Sequence, residues 1–200
     1  IGDILSGELS MDKPAELRTV TVLFSDLEGF TSTSERLGPE GISAFLNQYL
    51  TLMNEVIFEH GGTIDKFIGD AIMVLFGAPQ DMPSKDQALR AARCARAMQN
   101  AMKGLTEELR ATAASTPIMM RIDIHYGPAV VGNFGSAQRS DYTAIGPTVN
   151  MASRIESSCP PGHVLVSDEV AHYLPADMVE HAGEFSLKGI EGNATLHRIV

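Results

Sequence analysis

Two strand-like runs of this chain each break at an aspartate. Val, Thr, Leu and Phe dominate residues 18–25, and Asp26 follows them directly. Residues 63–76 form two further strand-like runs separated only by Gly69-Asp70, a pattern typical of a hairpin turn. A carboxylate at the end of a buried strand is presented to a cleft on rigid backbone. Because two such carboxylates can share a pair of hard divalent cations, the pattern predicts a metal site formed by Asp26 and Asp70.

The other segments mix helices and strands without regular alternation. Residues 31–60 carry apolar residues at helical spacing around a break at Gly38-Pro39, which predicts a short helix, a bend and a long helix. The remaining predictions are a helix at 83–109, strands at 119–131 and 140–145, a helix at 148–157, a strand at 164–167, a helix at 168–173 and two final strands. This order predicts an α+β sandwich with a mainly antiparallel central sheet and flanking helices.

Composition restricts the partners and the compartment. The 200 residues carry 15 Lys and Arg against 25 Asp and Glu, a formal charge of −10, so we expect no nucleic-acid partner. Cys94 and Cys159 lack zinc-site spacing and favour a reducing compartment such as the cytoplasm. No apolar run approaches the ~20 residues that span a bilayer. We therefore expect membrane contact only through regions upstream of this sequence.

A third motif, TAIGPTVNMASR at residues 143–154, completes a recognisable set with FSDLEGF at 24–30 and KFIGDA at 66–71. Together the three motifs resemble the catalytic domain of class III nucleotidyl cyclases, and residues 18–200 can be laid on that family. The resemblance implies a ferredoxin-like cyclase sandwich over 18–200. Residues 1–17 would then be a linker from an upstream regulatory region.

The resemblance implies a two-metal reaction on a nucleoside triphosphate. The ribose 3′ hydroxyl attacks the α-phosphorus while pyrophosphate leaves, and two Mg²⁺ or Mn²⁺ ions suit that task. By resemblance, Asp26, Asp70 and the Leu27 carbonyl are the metal ligands. The proton of the 3′ hydroxyl could pass to Asp26, to solvent or to the substrate phosphate, and the sequence leaves these alternatives open.

Two segments resemble the family's phosphate-binding groups. Gly29, Phe30 and Thr31 open the first helix, where free N–H groups and the helix dipole can receive phosphate oxygens. An ordinary N-cap at Thr31 explains the same residues equally well on local grounds. Lys188, which precedes Gly189, matches a family lysine that contacts the triphosphate.

Lys66 and Thr143 match the two positions that read the base in this family. A lysine donor suits the N1 acceptor of adenine, whereas the N1–H of guanine favours a carboxylate. The Thr143 hydroxyl can accept from the 6-amino group of adenine. This pair resembles the ATP-using subgroup with threonine, class IIIb, in which some members respond to bicarbonate, so bicarbonate is a candidate regulator. A hydroxyl can also donate, which leaves room for GTP use.

Asn150 and Arg154 lie four residues apart and therefore share one helix face. The resemblance implies that Asn150 positions the ribose and that Arg154 donates to the α-phosphate as charge builds up. In this family the metal-binding and base-reading groups of one site come from opposite subunits. Since this chain carries both sets, the resemblance implies a homodimer with two shared sites.

The resemblance thus implies an adenylate cyclase that converts ATP to 3′,5′-cyclic AMP and pyrophosphate in intracellular signalling. The predicted domain is cytoplasmic, with any membrane anchor of the full-length protein lying upstream. Two alternatives are a guanylate cyclase, disfavoured by Lys66 and Thr143, and a nucleotide-binding regulatory domain that has lost catalysis. The second is disfavoured because Asp26, Asp70, Asn150 and Arg154 are all present.

Overall fold

The computed structural model describes residues 14–113, 118–136 and 138–200, and its eight strands form one sheet. The strands are β1 (Glu16–Glu28), β2 (Thr63–Ile68), β3 (Ala71–Phe76), β4 (Met119–Ser136), β5 (Arg139–Ile145), β6 (Val164–Ser167), β7 (Val179–Ser186) and β8 (Asn193–Ile199). Their order is β2-β3-β1-β4-β6-β8-β7, and β5 also pairs with β4. All pairs are antiparallel except the parallel pair β4 and β6. The mainly antiparallel sheet is confirmed.

The described helices are α1 (Phe30–Glu59), α2 (Ser84–Ala113), α3 (Pro147–Glu156), α4 (Asp168–Ala171) and a 3₁₀ turn (Ala176–Met178). The predicted bend in α1 is confirmed, because Gly38 leaves helical geometry with φ 69° immediately before Pro39. None of the helices in the described ranges is long and apolar enough to cross a membrane. Residues 1–13 of the predicted linker lie outside the described residues, and β1 already begins at Glu16.

Both faces of the sheet are covered, which explains why β1 reads as a continuous apolar run. Leu23 packs with Tyr49 of α1 and Met98 of α2 in the larger core cluster, and all three are fully buried. The neighbouring Val22 faces the other side, where it belongs to a second cluster with Ala152 of α3. Burying an aliphatic or aromatic side chain of this size contributes ~1.5–3 kcal/mol, so this two-sided core fixes β1 in the centre of the sheet.

Two strands are longer than predicted, because pairing with distant segments sets their ends. β1 does not end before Asp26 but continues to Glu28, which pairs with Met119 at the start of β4. The far end of β4 passes residue 131 and runs to Ser136, which pairs with Arg139 of β5. Asp26 therefore lies inside a paired strand, and its backbone is fixed on the β4 side.

The β2–β3 hairpin is confirmed, with Gly69 and Asp70 as its two-residue loop. Gly69 has φ 63°, which a residue with a side chain rarely adopts. The pairing register shifts between Ile64 and Lys66, so Asp65 is the extra residue of a β-bulge. A bulge re-aims side chains, and strict alternation therefore does not hold at Lys66.

Candidate active site

The hairpin brings Asp70 to the strand that carries Asp26. Ser25 pairs with Ile72 across β1 and β3, and the backbone N–H of Leu27 donates to Asp70 Oδ2 at 2.8 Å. Tyr49 lies beneath the loop with its side chain buried and donates from Oη to the Asp70 carbonyl oxygen at 3.2 Å. The two predicted metal ligands are thus neighbours on anchored backbone.

Arg121 of β4 holds the carboxylate of Asp26. Its Nε donates to Asp26 Oδ1 at 2.8 Å and its Nη2 to Oδ2 at 2.5 Å, a two-pronged contact between directly paired residues. Glu156 Oε1 lies 3.4 Å from Arg121 Nε, and Glu28 Oε2 lies 3.6 Å from Nη1. The hydrogen bond with Asp26 raises the pKa of Arg121 above its usual range.

Glu156 of α3 completes this charged group. Burial first, and then the neighbouring Asp26 carboxylate, raise the pKa of Glu156 to about 7, although the charge of Arg121 opposes the shift. The protonation of this carboxyl group on α3 therefore depends on the charge of Asp26, the predicted metal ligand on β1. The ion pair of Glu156 with Arg121 links the C-terminal end of α3 to β4 beside Asp26.

The side chains present here suit a hard divalent cation. Asp26 and Asp70 offer oxygen ligands, as Mg²⁺ and Mn²⁺ prefer, and a carboxylate has about four acceptor positions, so Asp26 can bind Arg121 and still accept a further partner. Within the described ranges, no group of three or more His, Cys, Asp or Glu side chains is arranged to hold a metal. Any site here would complete its ligand set from backbone, solvent and substrate oxygens.

The first turn of α1 follows directly after these residues. Gly29 is its N-cap with φ 82°, no side chain caps the helix, and Thr31 is the second helical residue. The alternative interpretation of Thr31 as the N-cap is therefore wrong. The first N–H groups of a helix lack intrahelical acceptors, so those of Phe30, Thr31 and Ser32 are available to a phosphate oxygen.

The two predicted base-reading residues meet at a third residue. Thr143 Oγ1 of β5 donates to Asp65 Oδ2 at 2.5 Å, and Lys66 Nζ lies 3.4 Å from Asp65 Oδ1. The Asp65 side chain is 1% exposed, whereas that of Lys66 is 45% exposed. The structure thus brings Lys66 and Thr143 together, although they lie on strands that are not paired with each other.

The remaining predicted residues lie on the surface of the single chain. Asn150 and Arg154 are exposed on α3, while Ala152 and Ile155 between and beside them are buried. Lys188 is exposed in the loop between β7 and β8. This exposure is compatible with groups that would reach a substrate across a subunit interface.

Three residues of this region were missed by sequence reasoning. Asp65, Arg121 and Glu156 each place a charge on an element that packs against the rest of the molecule. Aspartate is disfavoured inside strands, so Asp65 within the TIDKFI run was the one available signal. Arg121 and Glu156 carried no comparable signal, because a charge at an element's end is ordinarily solvated.

Comparison with known proteins decides the family. The sequence matches the Adenylate and Guanylate cyclase catalytic domain family over residues 13–200. This chain belongs to that family. The class III cyclase resemblance of the three motifs is confirmed at this level, and the cyclase domain accounts for almost the whole sequence.

Curated relatives of the cyclase domain include larger bacterial proteins. The adenylate cyclase of Anabaena cylindrica is 45% identical over 145 residues, which is 71% of this chain and 28% of that protein. Adenylate cyclase 1 of Rhizobium meliloti (strain 1021) is 39% identical over 137 residues, which is 68% of this chain and 20% of that protein. The matched part of this chain therefore spans less than a third of each of these two relatives.

Solved structures confirm the cyclase fold. The adenylyl cyclase CyaB from P. aeruginosa superposes with a TM-score of 0.90 at 38% identity, covering 94% of this chain and 96% of that one. The guanylyl cyclase Cya2 gives a TM-score of 0.85 at 39% identity, with 94% of each chain covered. Overall likeness does not separate adenylyl from guanylyl cyclases, so the choice of nucleotide has to be argued from the site.

Proposed function

We propose that this cyclase domain converts ATP to 3′,5′-cyclic AMP and pyrophosphate. The observation that carries the proposal is the meeting of Lys66 and Thr143 at Asp65. An ammonium group can only donate, and it therefore complements N1 of adenine and opposes the N1–H of guanine. The Thr143 oxygen beside it complements the 6-amino group. The adenylate cyclases among the relatives support the same choice.

The metal-binding end supplies the phosphate chemistry. Asp26, Asp70 and the Leu27 carbonyl would hold two divalent cations, Mg²⁺ or Mn²⁺, which when bound polarise the α-phosphate and neutralise the leaving pyrophosphate. Gly29, Phe30 and Thr31 direct free N–H groups at the phosphates. Only Glu28 separates them from Leu27 in the chain, which supports this assignment.

The exposed residues would act on the ribose and the phosphates of a substrate whose metal ions are held by a partner subunit. Asn150 orients the ribose so that its 3′ hydroxyl is in line with the α-phosphorus. Arg154 donates to the α-phosphate as negative charge develops, and Lys188 contacts the triphosphate. A homodimer would then contain two shared sites, each with Asp26 and Asp70 from one chain and the base-reading residues from the other.

We place this activity in cytoplasmic signalling, controlled by an upstream region reached through residues 1–17. Bicarbonate is a candidate regulator, since Lys66 with Thr143 resembles the threonine-containing subgroup.

Cys94 and Cys159 are free and buried, and burial raises the pKa of each thiol to about 12, so both stay as inert thiols at neutral pH.

Guanylate cyclase activity is the second candidate. The likeness to the guanylyl cyclase Cya2, at 39% identity, favours it. Lys66 opposes it, because an ammonium group has no acceptor for the N1–H of guanine.

A product assay tests the proposal. The purified chain is incubated with Mg²⁺ or Mn²⁺ and either ATP or GTP, and the cyclic products are separated by chromatography. We expect cyclic AMP to dominate and to fall at least ~100-fold in the Asp70→Ala variant, which lacks one metal ligand. Dominant cyclic GMP would overturn the base assignment. Metal-dependent nucleotide binding without product would favour a regulatory domain.

A further inference from the structure

Asp65 lies behind the base-reading pair and contacts both members. It accepts from Thr143 Oγ1 at 2.5 Å and, through the same Oδ2, from the backbone N–H of Ala144 at 3.4 Å. Its other oxygen, Oδ1, faces Lys66 Nζ at 3.4 Å. The resemblance that identifies Lys66 and Thr143 assigns no role to this aspartate.

The position of Asp65 is costly for the fold. Its side chain is almost fully buried, and Oδ1 has no hydrogen-bond partner among the described residues, only the ion pair with Lys66. Buried carboxylate oxygens without hydrogen bonds are rare in proteins, and each one costs free energy of folding. The bulge between Ile64 and Lys66 turns Asp65 inward while leaving Lys66 at the surface. This arrangement calls for an explanation at the site itself.

The contact fixes the single proton of the Thr143 hydroxyl. A threonine hydroxyl has one proton and two acceptor lone pairs, whereas an ionised carboxylate has no proton to give. Because the carboxylate of Asp65 forms an ion pair with Lys66, it is the acceptor, and Thr143 is the donor in the hydrogen bond between them. Among the described residues, its only other acceptor contact is a long one, 3.4 Å to the Ala144 carbonyl. Toward a bound base, Thr143 offers lone pairs alone.

That polarity separates the two purines. Position 6 carries an amino donor in adenine and a keto acceptor in guanine. A freely rotating hydroxyl could serve either base, but a hydroxyl whose proton is committed elsewhere can serve only the amino group. A buried keto oxygen facing lone pairs loses its hydrogen bond with water and gains none in return.

From these contacts we infer that Asp65 is a specificity-determining residue, which makes Thr143 an obligate acceptor and so selects adenine over guanine. In this role Asp65 acts through the Thr143 hydroxyl and not on the substrate, so it is a positioning residue. The inference rests on the proposed function, because it explains how this base pocket would distinguish ATP from GTP.

The test replaces the carboxylate by an amide of the same shape. In the Asp65→Asn variant the amide oxygen should turn toward Lys66, a pure donor, which leaves the amide N–H₂ group facing Thr143. The Thr143 proton is then free to point at the base. We expect the ratio of kcat/KM for ATP to that for GTP to fall about 10-fold, with ATP use falling and GTP use rising.

Repeating Asp65→Asn in a chain that lacks the Thr143 hydroxyl distinguishes an effect on hydrogen-bond direction from general damage to the pocket. Thr143→Ala removes the hydroxyl, so adding Asp65→Asn to it should leave the ATP-to-GTP ratio unchanged within about 2-fold. Equal losses for both substrates in Asp65→Asn, or the same ratio shift in the Thr143→Ala background, would overturn the inference. Asp65→Ala, which frees the hydroxyl without an amide, serves if the asparagine variant does not fold, and urea midpoints check each variant.

The wild-type chain separates this inference from the proposed function. Wild type that makes cyclic AMP in preference to cyclic GMP supports the proposed function whatever the Asp65 variants do. Wild type that prefers GTP or makes no product defeats the proposed function, and the inference falls with it. A preference for ATP that survives both Asp65→Asn and Asp65→Ala defeats the inference alone.

Discussion

Asp123 is a single residue whose carboxyl group is completely buried in the sheet. It pairs with Phe24 across β1 and β4, and neither of its oxygens has a hydrogen-bond partner of normal geometry in the described part of the chain. Burial raises the pKa of Asp123 well above its usual range, and the charges of Glu156 and Asp26 raise it further. The nearby backbone N–H groups of Asp123 and Phe24 oppose this shift only in part.

The sign of the resulting pH dependence follows from proton binding. Above its ordinary pKa the carboxyl of Asp123 is ionised in the unfolded chain but still protonated in the folded one. The contribution of Asp123 to the free energy of unfolding is therefore most favourable below the pKa that its carboxyl has in the unfolded chain. It becomes steadily less favourable as pH rises toward the pKa in the folded chain. Each pH unit in that interval lowers the free energy of unfolding by about 1.4 kcal/mol.

We predict that Asp123→Asn becomes more stable relative to wild type as pH rises. The amide does not ionise, so this contribution to the pH dependence disappears. Urea denaturation at pH 5, 6, 7 and 8 measures the difference between the two free energies of unfolding. Asp177→Asn, at an exposed carboxyl, is the control and should run parallel to wild type. Parallel curves for Asp123→Asn as well would show that Asp123 titrates normally.

At the scale of elements, replacing glycine by alanine should change the stability of the chain in opposite directions in a hairpin loop and in a helix. Gly104 lies inside α2 and Gly69 in the β2–β3 loop, and a methyl group added at either would meet no atom within 4 Å. Only Gly69 has a positive φ, 63°. Space is therefore equal at the two sites, and backbone conformation alone differs.

We predict that Gly104→Ala stabilises the chain by about 0.5–1 kcal/mol, because alanine loses less backbone entropy in a helix. Gly69→Ala should destabilise it by about 1 kcal/mol and lower the rate of product formation, because strain in the loop displaces the adjacent Asp70. Urea midpoints and the product assay measure both effects. Gly69→Asn is the matched control, since asparagine tolerates this conformation. Equal signs for the two alanine variants would show that φ does not decide the outcome.

The elements also show what the sequence could predict. Local signals identified the hairpin around Asp70, the bend at Gly38 and the helix that carries Asn150, because turn chemistry and helical spacing act over a few residues. The predicted ends of β1 and β4 were wrong, because pairing with strands far away in the sequence sets the observed ends. The roles of Asp65 and Arg121 were missed for the same reason. Only the folded sheet brings Arg121 against Asp26 and turns Asp65 inward at its bulge.

At the scale of the whole molecule, the proposed site is divided between two sets of residues. One set, Asp26 and Asp70, lies at the adjoining ends of β1 and the hairpin, where Arg121 and Tyr49 anchor it. The other set includes Asn150 and Lys188, which are exposed in the single chain. In a symmetric dimer each site would take one set from each subunit, and a small rotation between subunits would misalign them.

We predict that two inactive variants restore activity when mixed. Asp26→Ala removes one set and Asn150→Ala the other, so a mixed dimer keeps one intact site and one site with both lesions. With random exchange half of the dimers are mixed, and about a quarter of the wild-type rate should return. Asp26→Ala mixed with Asp70→Ala is the control, because both lesions fall in the same set and every site stays defective. Chromatography of cyclic AMP measures the rates, and size-exclusion chromatography verifies that mixed dimers form. Mixed dimers that stay inactive would show that each chain carries a complete site of its own.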